Sequence, residues 1–172
     1  MDSSFFEYIQ QLEKMAFFSG YPLVYAIVFF IAGEKNLRAG YKKRIVSVLP
    51  YAYALVGTLY LGLQLRNLYP DYSLENIRMT LIQPYLTIWA LLSILFWIPA
   101  FGKRPVLSLI HSLVFFFMLL KDLISYLFQY SADIYVVRNE MKIYTDSLLL
   151  NLASVIFISF VFFLLIRIRG KK

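Results

Sequence analysis

Within residues 106–128, an otherwise apolar run of Leu, Ile, Val and Phe, stand three ionisable side chains: His111, Lys121 and Asp122. An ionisable group placed in hydrocarbon is costly, so each is a candidate for handling an ion or a proton. On a helix, the spacing from His111 to Asp122 brings the two within about 20° of eclipse and sets them roughly 16 Å apart along the axis. Ser108, Phe115, Met118 and Ser125 fall on the same face. The stripe is therefore polar at both ends and apolar in the middle. A proton passing along it would need water or groups from other helices. A structural reading stands beside the chemical one. Lys121 can snorkel to the headgroups, Asp122 can pair with Arg138 or Lys142, and His111 can bond a carbonyl or a serine of a neighbouring helix.

Three other faces carry polar groups. Tyr53, Gly57, Tyr60 and Gln64 recur at i, i+4, i+7 and i+11, which is one helix face. Gln83 and Thr87 form a second, with Pro84 close by, and Ser147, Asn151 and Ser154 a third. Small and hydrogen-bonding residues of this kind join helices in a bilayer. They could equally line a Tyr- and Gln-rich cavity able to hold a ligand or pass an ion. Lys42, Lys43 and Arg44, with Lys35 and Arg38 nearby, form a candidate contact for anionic lipid.

Several chemistries are disfavoured by what the chain lacks. It has no cysteine and one histidine, which removes thiolate catalysis, disulfides and multi-histidine metal sites. There is no HExxH motif and no phosphate-binding glycine loop. No metal, cofactor or enzymatic activity is expected.

The elements that must position these residues follow from hydropathy. The chain has 172 residues, 60% of them hydrophobic, a mean hydropathy of +0.67 and a net charge of +7. Its apolar residues are gathered in long runs rather than spread along amphipathic faces, as crossing a hydrocarbon core of about 20 residues requires. Basic residues flank those runs, so the membrane, and not nucleic acid, accounts for the charge. No cleavable signal peptide is expected, because Asp2, Glu7 and Glu13 outweigh Lys14 at the start.

The pattern predicts an all-α integral membrane bundle forming a single domain. A short amphipathic helix over 3–16 lies in the interface or forms the first turns of helix one. Five spans follow, at about 17–33, 46–66, 79–101, 106–128 and 147–166. Ser73 and Asp146 or Ser147 suit helix caps, Pro105 suits a first helical position, and Gln129–Thr145 reads as the longest loop. Eleven cations fall between spans one and two, between three and four, and in the tail, against five on the opposite side. The positive-inside rule then sets the N-terminus outside and the C-terminus in the cytoplasm, in a plasma or inner membrane. The leading functional expectation is a non-enzymatic subunit of a homo-oligomer or of a complex with other membrane proteins. A proton- or ion-conducting oligomer using Asp122 and His111 is the alternative. A receptor for a lipophilic ligand is the third reading.

Overall fold

A computed structural model describes residues 3–33, 39–80, 84–128 and 134–169; side chains are described except at 3–10, 39–43, 79–80, 122–123, 125–128, 134–140 and 169. Gln83, and the side chains of Asp122, Ser125, Lys42 and Lys43, therefore lie outside the described residues. The described chain is helical throughout, joined by short turns, with no strand. The order is α1 (Ser3–Phe18), α2 (Tyr21–Gly33), α3 (Ala39–Leu68), α4 (Leu74–Thr80), α5 (Pro84–Leu91), a 3₁₀ segment (Leu92–Trp97), α6 (Pro99–Gly102), α7 (Pro105–Phe128) and α8 (Ile134–Arg169).

Three stretches are long and apolar enough to cross a membrane: Gln11–Gly33, Arg44–Leu68 and Met141–Ile168. Two shorter apolar helical stretches, Pro84–Trp97 and Pro105–Lys121, pack with them. Half of the first two stretches is buried inside the bundle against 22% of the third. The third, on α8, thus turns most of its length outward, exposing Ile156, Phe157, Phe160 and Phe163. Such a continuous apolar exterior suits hydrocarbon and would be a liability in water.

The first stretch begins earlier than the expected start near residue 17. α1 carries its own last turns into the bundle, breaks at Ser19–Gly20 and resumes as α2. Lys14, read from the sequence as part of a polar face, is 2% exposed. The break is held by α8. Ser147 Oγ accepts the Gly20 N–H at 2.9 Å, and Asn151 Nδ2 donates to the Phe17 carbonyl at 2.8 Å. Backbone groups freed at a helix break within a membrane need such partners from a neighbouring helix. Gly20 is required there for space: a Cβ on it would lie 2.5 Å from the Leu148 backbone nitrogen.

Two further expectations change. The anticipated loop before the last span is helical from Ile134 onward, so Asp146 and Ser147 lie inside α8 and cap nothing. No Gly or Pro interrupts residues 134–169, and nothing else stops the helix. The expected single helix over 79–101 is instead broken. α5, described from Pro84, passes into the 3₁₀ segment at Leu92, and Pro99 forces Ile98 into an extended conformation with φ −74° and ψ 129°, the restriction that proline places on the residue before it. Ser73 does cap α4, accepting the Asn76 N–H at 3.2 Å, and Pro105 does open α7.

α3 is the central helix, packing against the 3₁₀ segment, α8 and α2. Its Gly57 admits the 3₁₀ segment so closely that a Cβ would collide with Ser93 Oγ. The core at their junction is aromatic. Phe18 stacks on Phe115 at 4.9 Å between ring centroids and meets Tyr53 and Tyr60 edge-on.

Candidate functional site

The sole histidine is the best-positioned polar group in the bundle. His111 lies on α7, about two turns from its start at Pro105, and is 8% exposed. Its Nδ1 is 2.7 Å from the hydroxyl of Tyr53 on α3. The indole of Trp89, on α5, lies parallel to the imidazole with centroids 4.6 Å apart. Trp89 Nε1 also donates to the His111 backbone carbonyl at 3.2 Å. Phe96 of the 3₁₀ segment meets the ring edge-on at 6.0 Å. Four elements thus fix one ring, and its orientation is set before anything binds.

The other ring nitrogen is different. His111 Nε2 is buried and makes no hydrogen bond of good geometry among the described residues, although the Trp89 backbone lies close enough to interact with the ring. The ring forms part of the wall of a cavity of about 250 Å³. The rest of the wall is apolar or aromatic, including Trp89, Leu95, Phe96, Phe101 and Ile110. Ile110 is 55% exposed, so the cavity opens towards the outside of the bundle, where the surface is apolar.

The α7 stripe is brought partly to the core. Ser108 is fully buried, and its Oγ lies 2.7 Å from the hydroxyl of Tyr21. Phe115, which follows Ser108 and His111 along the stripe, is buried and stacks on Phe18 of α1. Lys121 is exposed.

The faces on α3, α5 and α8 converge elsewhere. Tyr53 and Tyr60 are fully buried. Tyr60 hydrogen-bonds the Thr87 side chain, and Gln64 hydrogen-bonds Glu13. Asn151 and Ser154 are buried, with Asn151 joined to the α1–α2 break and Ser154 bonded to the Leu150 carbonyl within its own helix. Tyr60 and Thr87, Gln64 and Glu13, and Asn151 and Phe17 each join two helices. They do not open into the His111 cavity, whose wall contains none of them. Arg44 is exposed beside a second hollow of about 170 Å³ shared with Phe162 and Ile166.

Trp89 and Tyr21 escaped the sequence reading. An aromatic residue in an apolar run has no periodic signal that separates packing on lipid from packing on a histidine. Lys14 escaped too: its Nζ is buried with no hydrogen-bond partner among the described residues, and Glu13 is its charged neighbour. Among the described residues, no group of three or more His, Cys, Asp or Glu side chains comes together to hold a metal.

Fold and site together define a class: a helical bundle with three helices long and apolar enough to cross a membrane, an aromatic core and one oriented imidazole beside an apolar cavity. Compared with family models, with curated proteins and with solved structures, the chain matches none. Function must be argued from the site itself.

Proposed function

We propose that this chain is a non-enzymatic, multi-pass membrane protein whose bundle binds a lipophilic molecule in the cavity beside His111. Five crossings complete the architecture. The three long stretches supply three. α7, at 24 residues, extends for about 36 Å. α5 and the 3₁₀ segment run for about 24 Å before the chain bends at Ile98, and α6 follows, against a hydrocarbon core of about 30 Å. The cation asymmetry then directs the N-terminus outward and the C-terminus to the cytoplasm.

One observation carries the reading: an imidazole held in place by Tyr53 and Trp89 forms part of the wall of an otherwise apolar hollow that opens on the outside of the bundle. Ligand sites have this make-up, a largely apolar wall with few well-placed polar groups. The geometry favours binding over conduction because the Phe18–Phe115 stack fills the middle of the stripe that an ion would follow.

The test uses the two tryptophans of the chain. In a Trp97→Phe variant, Trp89 is the sole indole reporter and sits in the cavity wall. Protein purified in mild detergent should retain a small lipophilic molecule detectable by native mass spectrometry. Added lipophiles should change Trp89 emission saturably, and Ile110→Phe, which fills the hollow, should weaken both effects. Protein free of small molecules, with Trp89 emission indifferent to every lipophile tried, would remove the reading. The same spectra report whether the chain travels as a homo-oligomer or with other subunits.

A further inference from the structure

We infer that the hollow where the start of α3 meets the end of α8 seats one anionic phospholipid, with an acyl chain between the helices and the phosphate at Arg44 and Arg167. The site shares no wall residue with the cavity beside His111 and does not depend on what that cavity binds.

The hollow follows from residue size. On α8, Ser159, Phe162, Phe163 and Ile166 stand at i, i+3, i+4 and i+7, which is one helix face. Ser159 is the small member of that face. The space it leaves is walled by its larger neighbours and by the start of α3, where Arg44 is the charged residue. Tyr51 meets Phe162 edge-on with ring centroids 5.6 Å apart, which holds one wall in place. Nine residues further along α3, Tyr60 meets Phe17, whose carbonyl accepts from Asn151 of α8. Numbers on α8 therefore fall as those on α3 rise, and the two helices run antiparallel. Arg44 thus lies towards the Ile166 end of the hollow. Ser159 marks the other end, about 10 Å away along the axis of α8.

Position fixes the surroundings of each end. The apolar stretches of the two helices end at Arg44 and at Ile168. The Arg44 end of the hollow therefore belongs at the headgroups and the Ser159 end in hydrocarbon. Arg167 stands one turn beyond Phe163, about 40° round the helix from it. Both arginines are exposed.

Charge then selects the headgroup. The carboxylates with described side chains lie towards the opposite end of these helices. Glu13 bonds Gln64 near the far end of α3. Asp71 and Glu75 come after α3, and Asp146 stands thirteen residues before Ser159. A guanidinium binds phosphate through paired N–H donors. Basic groups at the bilayer surface attract a headgroup of net negative charge over a zwitterionic one. A free phosphate would meet the arginines alone. A phospholipid meets them and also fills the apolar hollow of about 170 Å³ beneath.

Two photoreactive phospholipids test the seat, phosphatidylglycerol and phosphatidylcholine with the same diazirine-bearing acyl chain. The full chain is reconstituted in vesicles of equal parts unlabelled phosphatidylglycerol and phosphatidylcholine, with a trace of either probe. Peptide mapping after illumination locates the adducts. Phosphatidylglycerol should label Phe162–Ile166 about tenfold more than phosphatidylcholine does. The ratio should be lower at Phe29 and Phe30, which are exposed on α2. Replacing both arginines, Arg44→Gln with Arg167→Gln, should bring the ratio in the hollow close to one. Ser159→Phe fills the hollow with both arginines intact and should cut labelling there by either lipid. Lys103→Gln, a change of charge elsewhere, should alter neither. All four positions are exposed; if a variant fails to fold, the two probes on the wild type still decide. Equal labelling of the hollow by the two probes would overturn the inference. A preference that is the same at Phe29 and Phe30, or that survives Ser159→Phe, would reduce the site to diffuse attraction by a basic surface and overturn the seat. Adducts at Phe29 and Phe30 with none in the hollow would mean that protein covers it. Loss of the preference on adding inorganic phosphate, but not chloride of equal ionic strength, would make a free anion the occupant. Absence of adducts from every helix would bring down the membrane reading itself.

Discussion

The energetics of His111 are those of a polar group whose every neighbour is fixed. Its Nδ1 depends on one hydroxyl, which is why Tyr53→Phe is informative for stability. The variant keeps the ring stack and leaves a buried ring nitrogen unpaired, at a cost of about 1–2 kcal/mol. Tyr51→Phe is the control. Tyr51 is half-buried and its hydroxyl has no hydrogen bond among the described residues, so its loss should stay under about 0.5 kcal/mol. Thermal denaturation in detergent compares the two. Lys14 poses the opposite problem: a cation 2% exposed whose Nζ has no hydrogen-bond partner among the described residues. Glu13 is its charged neighbour, so the two charges are replaced together: exchanging a buried pair for uncharged chains of similar length is often neutral or stabilising. The double variant Glu13→Gln, Lys14→Met is accordingly expected to hold or raise the melting temperature. A clear fall would mean that Nζ gains a partner in the assembled protein.

At the scale of elements, the α1–α2 break is the most constrained feature of the bundle. It requires a residue without a side chain at Gly20, an acceptor at Ser147 and a donor at Asn151. A methyl at Gly20 would meet backbone atoms of α8, which cannot swing aside. Gly20→Ala is expected to cost on the order of 3 kcal/mol. Gly62→Ala is the contrast, because nothing lies within 4 Å of a Cβ there. It should be neutral or stabilising by up to about 1 kcal/mol, since alanine is the better helix former. Denaturant titration of both variants in mixed micelles checks the pair. The 3₁₀ segment is the second constrained element. Its tighter winding, about 120° per residue, places Phe96 against Tyr53 and His111, whereas the expected continuous helix would have carried its side chains around at the ordinary 100° per residue.

For the whole molecule, the proposal commits to a side for each turn. The chain has no cysteine, so single introduced cysteines report cleanly. Lys103→Cys should react with a membrane-impermeant maleimide only from the cytoplasmic side, and Ser73→Cys only from the opposite side. Both positions are exposed. Labelling of the two from the same side would remove one of the five crossings. The element most exposed to that outcome is the stretch from α5 to α6, because it combines α-helical, 3₁₀ and extended backbone where a single helix was expected.

Long apolar runs declare their solvent by themselves, because a hydrocarbon core selects for length and hydropathy whatever the fold. Helices, the opening of α7 at Pro105 and the cap at Ser73 were legible for the same local reason: each depends on residues within a few positions of one another. Polar faces on α3, α7 and α8 were visible as periodicity, and their described members are mostly buried. Their partners were not visible. Tyr53 meets His111 across 58 positions and Asn151 meets Phe17 across 134, and nothing in either neighbourhood encodes the other. The break at Gly20, the burial of Lys14 and the cavity beside His111 likewise arise only where helices cross. Periodicity reports which way a side chain leaves its own helix; which atoms it then meets is decided by packing between segments far apart in the chain.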